Sequence, residues 1–212
     1  FAPVENKKNK HIGCEEKCKD GYWGLFIAPQ FAAWGLVIVY NYDDKTAIKN
    51  NIEPKAVSIY DGLAKLAPDL SKKNDPKGTT ILTSVETNFD NLYTPKAGNI
   101  DAALTMFSFG GKIEVGSEDI KIKKDNKYES ITNERNKKGE QFNSTMTKFG
   151  QPINPGRAYN NLVDLDIFDI SDKIKPGQNK VDINFTVATK RTSVVSIERI
   201  YLALAGFSTR IY

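Results

Sequence analysis

The sequence predicts an all-β protein, an antiparallel β-sandwich of the jelly-roll or lectin-like kind with little helix. Roughly nine to eleven short apolar or alternating segments follow one another at spacings of roughly 8–20 residues, separated by turn residues. Aromatic residues are abundant, with 11 Phe and 9 Tyr, whereas Met and His are scarce. Aromatic and β-branched side chains fit pleated sheets better than helices. Because no shift in composition marks a linker, we expect a single domain over residues 21–212.

The first twenty residues are polar and rich in lysine, and they predict an N-terminal arm with a loop between Cys14 and Cys18. These are the only two cysteines. An even number at close spacing favours a disulfide in an oxidising compartment, with free thiols as the alternative. A zinc site is disfavoured, because His11 is the only histidine and such sites need about four N or S ligands. The chain begins with Phe1 rather than Met, which indicates processing or excision from a longer protein.

Nine uncharged residues, 32–40, predict the central strand of the sandwich. The run is too short to cross a bilayer as a helix, which needs ~20 apolar residues. In a strand, Trp34, Leu36, Ile38 and Tyr40 share one face, and small residues alternate with valines on the other. A strand that is apolar on both faces is typical of a buried position within a sheet.

Turn signals order the remaining strand candidates. Asp61-Gly62 predicts a turn after the alternating segment 56–60, and residues 63–70 allow a short helix. Further strands are expected at 21–27, 79–85, 100–109, 181–187 and 194–207, and a hairpin is expected at 112–123. The hydrophilic segment 124–141 predicts a long exposed loop, and Pro176-Gly177 predicts a turn within 173–180.

Alternating acidic and apolar residues at 164–169 are the best candidate for chemistry. In a strand, Asp164 and Asp166 share one face, whereas Asp169 falls on the other unless a turn intervenes. Paired carboxylates can bind calcium, which takes six to eight oxygen ligands, or act as acid and base in glycoside hydrolysis. The alternative is a solvated strand face. No EF-hand spacing is present, and calcium is the only cofactor that the sequence suggests.

Two other kinds of site are suggested by single residues. Asn143 in Asn-Ser-Thr and Asn184 in Asn-Phe-Thr match the glycosylation acceptor pattern, which also occurs often by chance. Aromatic side chains stack on sugars but equally fill sandwich cores. The aromatic candidates for ligand binding are Tyr22, Trp23, Tyr42 and Tyr93.

Charge and motifs disfavour several classes of function. The 30 Lys+Arg and 26 Asp+Glu give a net charge of only +4, and basic residues are interleaved with acidic ones, so nucleic-acid binding is not expected. No segment is long and apolar enough to span a membrane. A Ser-His-Asp arrangement would have to use His11, and no nucleophile elbow, phosphate loop or dinucleotide fingerprint occurs. We therefore expect a protein without catalytic activity.

Five segments occur together in an order that resembles a known family: 33–40, 57–62, 93–98, 142–145 and 163–166. The family is a β-sandwich domain of large secreted and surface-anchored bacterial proteins, including fibrillar adhesins. The likeness covers roughly residues 21–210, and its motifs are structural. An acidic step expected after the strand that ends at Phe109 is replaced by Gly110-Gly111-Lys112. A charged arm stands where the family usually carries strands before the tryptophan segment.

The resemblance implies an extracellular or cell-surface protein with an adhesive or structural role. Its partners would be a host or neighbouring-cell surface protein or glycan, bound by loops such as 42–55 and 124–141. If upstream strands are missing, an open sheet edge must be covered by another subunit or another domain of the parent protein, which is strand addition. A calcium-dependent lectin-like module and a glycan-active hydrolase are the alternatives.

Overall fold

The computed structural model describes residues 35–66, 80–110, 118–153, 162–190 and 200–211, without the side chains of 63, 80–83 and 188–190. Contacts divide the chain into two compact units, Phe1–Thr46 and Ala47–Tyr212. This division falls later than the boundary predicted at residue 20. The predicted disulfide between Cys14 and Cys18, the candidates Tyr22 and Trp23, and the strand predicted at 21–27 lie outside the described residues.

Strands dominate the described residues. In chain order they are β1 (Lys55–Leu66), β2 (Thr80–Asp90), β3 (Ala102–Phe109), β4 (Asp119–Lys124), β5 (Lys127–Ser130), β6 (Met146–Lys148), β7 (Gln151–Pro152), β8 (Val163–Asp169), β9 (Lys180–Lys190) and β10 (Ile200–Arg210). The helix α1 covers Asp44–Lys49, and a single 3₁₀ turn covers Ser171–Lys173. No helix within these residues is long and apolar enough to cross a membrane.

The strands form two sheets, and the predicted all-β sandwich is confirmed. The larger sheet has the order β1-β10-β3-β8-β6-β7, and the smaller sheet has the order β2-β9-β4-β5. Neighbouring strands are antiparallel except for β6 and β8, which are parallel. The strands predicted at 79–85, 100–109 and 181–187 correspond to β2, β3 and β9, and the end of the segment predicted at 194–207 lies in β10.

The apolar core lies between the two sheets. Leu104 and Phe168 of the larger sheet and Ile183 and Phe185 of the smaller sheet are at most 1% exposed. Each large apolar side chain buried in this way stabilises the fold by ~1.5–3 kcal/mol. Three rings on β1, β2 and β10 extend the core, with centroids 4.8 Å apart for Tyr60–Phe89 and 5.1 Å apart for Phe89–Phe207.

The prediction of a central strand at 32–40 is wrong for its described part. Residues 35–43 have no regular secondary structure, and the side chains of Leu36, Ile38 and Tyr40 are 74%, 69% and 69% exposed. Apolar composition favours a strand only where a neighbouring strand supplies hydrogen bonds. The interior position of the larger sheet between β10 and β8 is instead occupied by β3.

The turn predicted at Asp61-Gly62 is also wrong, because β1 continues through these residues to Leu66. The pairing of β1 with β10 shifts between Asp61 and Ala64. An extra residue at this point makes a β-bulge, a feature for which glycine in a strand is a common signal. The same glycine therefore accompanies an irregularity within the strand rather than its end.

The long exposed loop predicted at 124–141 is the third error. Asp125 and Asn126 both have positive φ, 49° and 64°, which is the geometry of a two-residue hairpin turn, and the turn joins β4 to β5. Beyond β5, the side chains of Ile131, Gln141 and Phe142 are at most 2% exposed. The average composition of this lysine-rich segment concealed the few residues that pack inward.

Phe142→Ala tests whether this segment belongs to the core. We expect the free energy of unfolding to fall by about 3–5 kcal/mol, because a buried ring is replaced by a cavity. Phe149→Ala is the matched control, since Phe149 is 46% exposed and its loss should cost less than about 1 kcal/mol. Urea unfolding followed by circular dichroism measures both variants. Equal losses in the two variants would contradict the packing of Phe142.

Candidate functional site

Asp164 and Asp166 lie inside the sandwich. Both are 2% exposed, and their register partners on β3 are Ser108 and Met106. Residues directly opposite each other on neighbouring strands share a face of the sheet, so both carboxylates are on the inner face that carries Met106. Asp169 is exposed on the other face, as predicted. The alternative of a solvated face for Asp164 and Asp166 is therefore wrong.

Asp166 is held by two side-chain donors. Its Oδ1 accepts hydrogen bonds from Asn136 Nδ2 at 2.9 Å and from Thr147 Oγ1 at 2.6 Å. Thr147 is placed there by the parallel pairing of β6 with β8, in which it lies beside Asp166. Burial raises the pKa of Asp166 to about 6, although the hydrogen bonds from Thr147 and Asn136 act in the opposite direction.

Asp164 is less fully satisfied. Its Oδ1 accepts a hydrogen bond from the backbone N–H of Thr145 at 3.2 Å. Its Oδ2 is buried and accepts no hydrogen bond from the described residues. Burial raises the pKa of Asp164 well above its usual range, and the neighbouring charge of Asp166 raises it further, while backbone N–H groups of 143–145 oppose the shift.

Asn136 connects this pair to the segment that covers it. While its Nδ2 donates to Asp166 and Thr147, its Oδ1 accepts from Asn143 Nδ2 at 2.9 Å and from Thr145 Oγ1 at 3.4 Å. Asn136 itself is 0% exposed. One amide group thus links β8, β6 and the 131–145 segment.

A second buried contact fixes the same segment to β4. Gln141 Nε2 donates to Asp119 Oδ1 at 3.1 Å and to the carbonyl oxygen of Ile131 at 3.3 Å. The other oxygen of Asp119 accepts from Ser130 Oγ at 2.9 Å. Buried polar groups with partners of this kind specify a single arrangement, since each loses free energy if its partner is removed.

The arrangement favours a structural role for the two aspartates. Asp169 points away from Asp164 and Asp166, and no group of three or more His, Cys, Asp or Glu in the described part of the chain is placed to hold a metal ion. Glycoside hydrolysis needs both carboxylates to reach a bound sugar, whereas these two are enclosed between the sheets. The geometry therefore supports neither the calcium hypothesis nor the hydrolase hypothesis for this pair.

The two glycosylation candidates differ in their surroundings. Asn143 is 6% exposed, and its Nδ2 donates to the carbonyl oxygen of Arg135 at 3.0 Å as well as to Asn136. A sugar on this nitrogen would displace both hydrogen bonds. Asn184 is half-buried on β9, where its Oδ1 accepts from Ser84 Oγ at 2.9 Å. Glycosylation of Asn184 stays a prediction.

The two described aromatic candidates are exposed rather than part of the core. Tyr42 is 39% exposed, and its ring lies edge-on to Tyr40 with centroids 5.4 Å apart. Tyr93 is 48% exposed, and its hydroxyl donates to the carbonyl oxygen of Ile211 at 3.3 Å. Both rings can therefore contact a ligand. Tyr42 belongs to the unit Phe1–Thr46, and Tyr93 belongs to the unit Ala47–Tyr212.

Sequence reasoning found the aspartate pair but missed the residues that hold it. Asn136, Gln141 and Thr147 lie in or beside a segment whose lysines predict exposure. The available signal was the presence of two isolated apolar residues, Ile131 within the hydrophilic segment 124–141 and Phe142 directly after it. Single apolar residues of this kind mark inward positions when a loop packs over a core.

Comparisons of the chain with protein-family models, with curated proteins and with solved structures return no match. The resemblance to domains of fibrillar adhesins rests on the sequence segments alone and stays a prediction.

Asp164→Asn tests the burial of charge. We expect this variant to have a higher free energy of unfolding than the wild type at about pH 8 and a similar one at about pH 4, because only the charged form of Asp164 is penalised by burial.

The neighbouring Asp166 gives the size of such an effect. Its rise in pKa from 3.8 to about 6 corresponds to about 3 kcal/mol. Because the pKa of Asp166 is higher in the folded state than in the unfolded state, this free energy of unfolding is fully present below pH 3.8 and is lost as the pH rises through about 6.

Urea unfolding of the wild type and of Asp164→Asn between about pH 4 and about pH 8 measures the difference in free energy of unfolding. Asp169→Asn is the control. Asp169 lies on the same strand but is exposed, so its replacement should change the pH dependence little. If the difference in free energy of unfolding between the wild type and Asp164→Asn does not change with pH, the burial of a charge at Asp164 is contradicted.

Asn136→Ala tests the link between the aspartates and their cover. The substitution removes one of the two hydrogen bonds to Asp166 Oδ1 and one of the two that Asn143 Nδ2 donates, and each such loss costs about 0.5–1.5 kcal/mol. Asn179→Ala, at an exposed position, should stay within about 0.5 kcal/mol of the wild type. Thermal melting distinguishes the two. If Asn136→Ala melts at the same temperature as Asn179→Ala, Asn136 does not have this linking role.

Proposed function

We infer that the outer face of the larger sheet is a contact surface, because it carries a row of apolar side chains, whereas the outer face of a sandwich is usually polar. Leu204, Phe107, Leu165 and Met146 are register partners on four neighbouring strands, and all four are half-buried. They lie on the opposite face from the core residue Met106. A sheet with apolar side chains on both faces is suited to contact a further layer of protein.

The strand at the end of this sheet continues the apolar surface. β1 pairs with β10, and no other described strand lies along its second edge. Its outward residues Val57 and Ile59 are 52% and 39% exposed. A long edge strand with apolar side chains readily pairs with a strand from another chain, and proteins normally protect or use such an edge.

We propose that the chain is a non-catalytic β-sandwich module of an extracellular or cell-surface bacterial protein, with a structural or adhesive role. It joins neighbouring subunits or domains by strand addition at β1 and by contact with the outer face of the larger sheet. The apolar outer face is the observation that carries the proposal. The resemblance to fibrillar adhesin domains supports it, and so does the exposed, uncharged segment 35–40, which has the composition of an added strand.

Replacing Val57 and Ile59 with lysine tests the proposal. We expect the full chain to associate at high concentration, and we expect Val57→Lys with Ile59→Lys to raise its dissociation constant at least about tenfold, since charge at an edge opposes pairing. Size-exclusion chromatography with multi-angle light scattering measures the association.

The matched control is Phe149→Lys with Ile153→Lys. These residues are 46% and 44% exposed near β7, at the opposite end of the larger sheet. The control should associate like the wild type. A wild-type chain that remains monomeric at all concentrations, or equal effects of the two pairs of substitutions, would overturn the proposed use of β1.

A further inference from the structure

Five lysines from two separate parts of the chain line a single cleft. The cleft, of about 360 Å³, opens between the turn that follows β4 and the connection that leads from β8 into β9. Its lysines are Lys123, Lys124, Lys173, Lys175 and Lys180. We call it the lysine cleft. The topology assembles it, because β4 and β9 are neighbours in the smaller sheet.

The lysine cleft carries a small excess of positive charge. Its lining includes two acidic residues, Asp125 and Asp182, and Glu129 and Asp172 pair with Lys173, so five lysines and four acidic residues give a formal charge of +1. A concave surface with an excess of one sign of charge attracts ligands of the opposite sign.

The acidic residues leave these lysines incompletely neutralised. Asp182 is shared by two ammonium groups, Lys123 Nζ at 3.6 Å and Lys180 Nζ at 3.7 Å. Lys124 Nζ donates at 2.6 Å to a carbonyl oxygen, that of Asp172, which carries no formal charge.

One ion pair in the cleft is easily exchanged and another is anchored. Lys175 pairs with Asp125, and both side chains are 62% exposed. Exposed pairs contribute only ~0–1 kcal/mol, so a ligand carboxylate or sulfate can replace Asp125 at low cost. Lys173 is held by Glu129 at 2.8 Å and Asp172 at 3.0 Å. Their hydrogen bonds raise the pKa of Lys173, which keeps this lysine charged.

The lining selects among acidic ligands. Lysine ammonium groups are compact point charges that bind carboxylate or sulfate without demanding a planar partner. The exposed amide of Asn126, in the β4–β5 turn, lies in the same lining and suits a hydroxyl group. The residues that line the cleft include no aromatic ring on which a nucleic-acid base would stack. A ligand that carries acid groups interspersed with hydroxyl groups is an acidic sugar.

We propose that the lysine cleft binds an acidic polysaccharide that carries carboxylate or sulfate groups. Binding here is independent of the proposed strand addition, because the cleft is built from the smaller sheet and the β8–β9 connection, whereas strand addition uses β1. Failure of one proposal leaves the other intact.

Dextran derivatives provide probes with a common backbone. Dextran sulfate, carboxymethyl-dextran and neutral dextran are immobilised, and the binding of the full chain is measured by biolayer interferometry at fixed ionic strength. We expect binding to at least one charged polymer, weakening as salt is raised, and none to neutral dextran. The two charged polymers distinguish sulfate from carboxylate as the preferred group.

Substitutions then locate the binding. Lys124→Gln with Lys175→Gln should weaken binding about tenfold, the effect of two lost contacts of roughly 0.7 kcal/mol each. Lys124→Arg with Lys175→Arg keeps the charge and should retain most of the affinity. Lys137→Gln with Lys138→Gln removes the same charge outside the cleft and should change affinity less than about twofold. Circular dichroism melting checks that every variant is folded.

Several outcomes would overturn the proposal. Equal weakening by the cleft pair and the Lys137/Lys138 pair would indicate a general effect of net charge. Binding to poly-glutamate that is stronger than binding to either charged dextran would indicate an acidic polypeptide partner. Absence of binding to both charged polymers at low salt would exclude the site.

Discussion

The burial of two carboxylates on the inner face of β8 is the constraint on which one end of the sandwich depends. A charged or polar group enclosed between sheets needs hydrogen-bond donors that water can no longer supply. Asn136, Thr147 and the backbone of 143–145 provide them. The demand for donors accounts for a covering segment that packs inward despite its lysines. It also gives a role to the parallel β6–β8 pair, which sets Thr147 beside Asp166.

The two sheets differ in what they offer a partner. The larger sheet has a row of apolar side chains on its outer face and ends at β1, whose Val57 and Ile59 are exposed, and this kind of surface suits contacts with protein. The smaller sheet contributes to the lysine cleft, whose ammonium groups suit an acidic ligand. A module of this construction can be fixed in an assembly through one sheet while the other remains free to bind. Asp164 and Asp166, the strongest chemical candidates in the sequence, serve neither surface and instead accept hydrogen bonds from the segment that covers them.

The sequence predicted the alternating strands well, because the alternation of apolar and polar residues around a residue such as Ile183 is enough to assign that residue to one face of the sheet. It also placed Asp164 and Asp166 on one face and Asp169 on the other. It failed where the outcome depends on partners distant in the chain. Whether Leu36 and Ile38 join a sheet depends on which strands are available to pair with them. Whether Lys124 and Lys175 share a cleft depends on the order of strands in the smaller sheet, and no local pattern carries that information.

The pairing of β1 with β10 has a consequence for how the chain matures. Lys55 lies opposite Arg210, and Leu66 lies opposite Ile200, so the larger sheet joins segments that are far apart in the chain. During synthesis β1 cannot pair with β10 until β10 leaves the ribosome, and β2 must likewise wait for β9. Folding dominated by such distant contacts is slow. β1 therefore lacks this partner while the intervening strands are made, and chaperones can hold the chain in that state before the sheet closes.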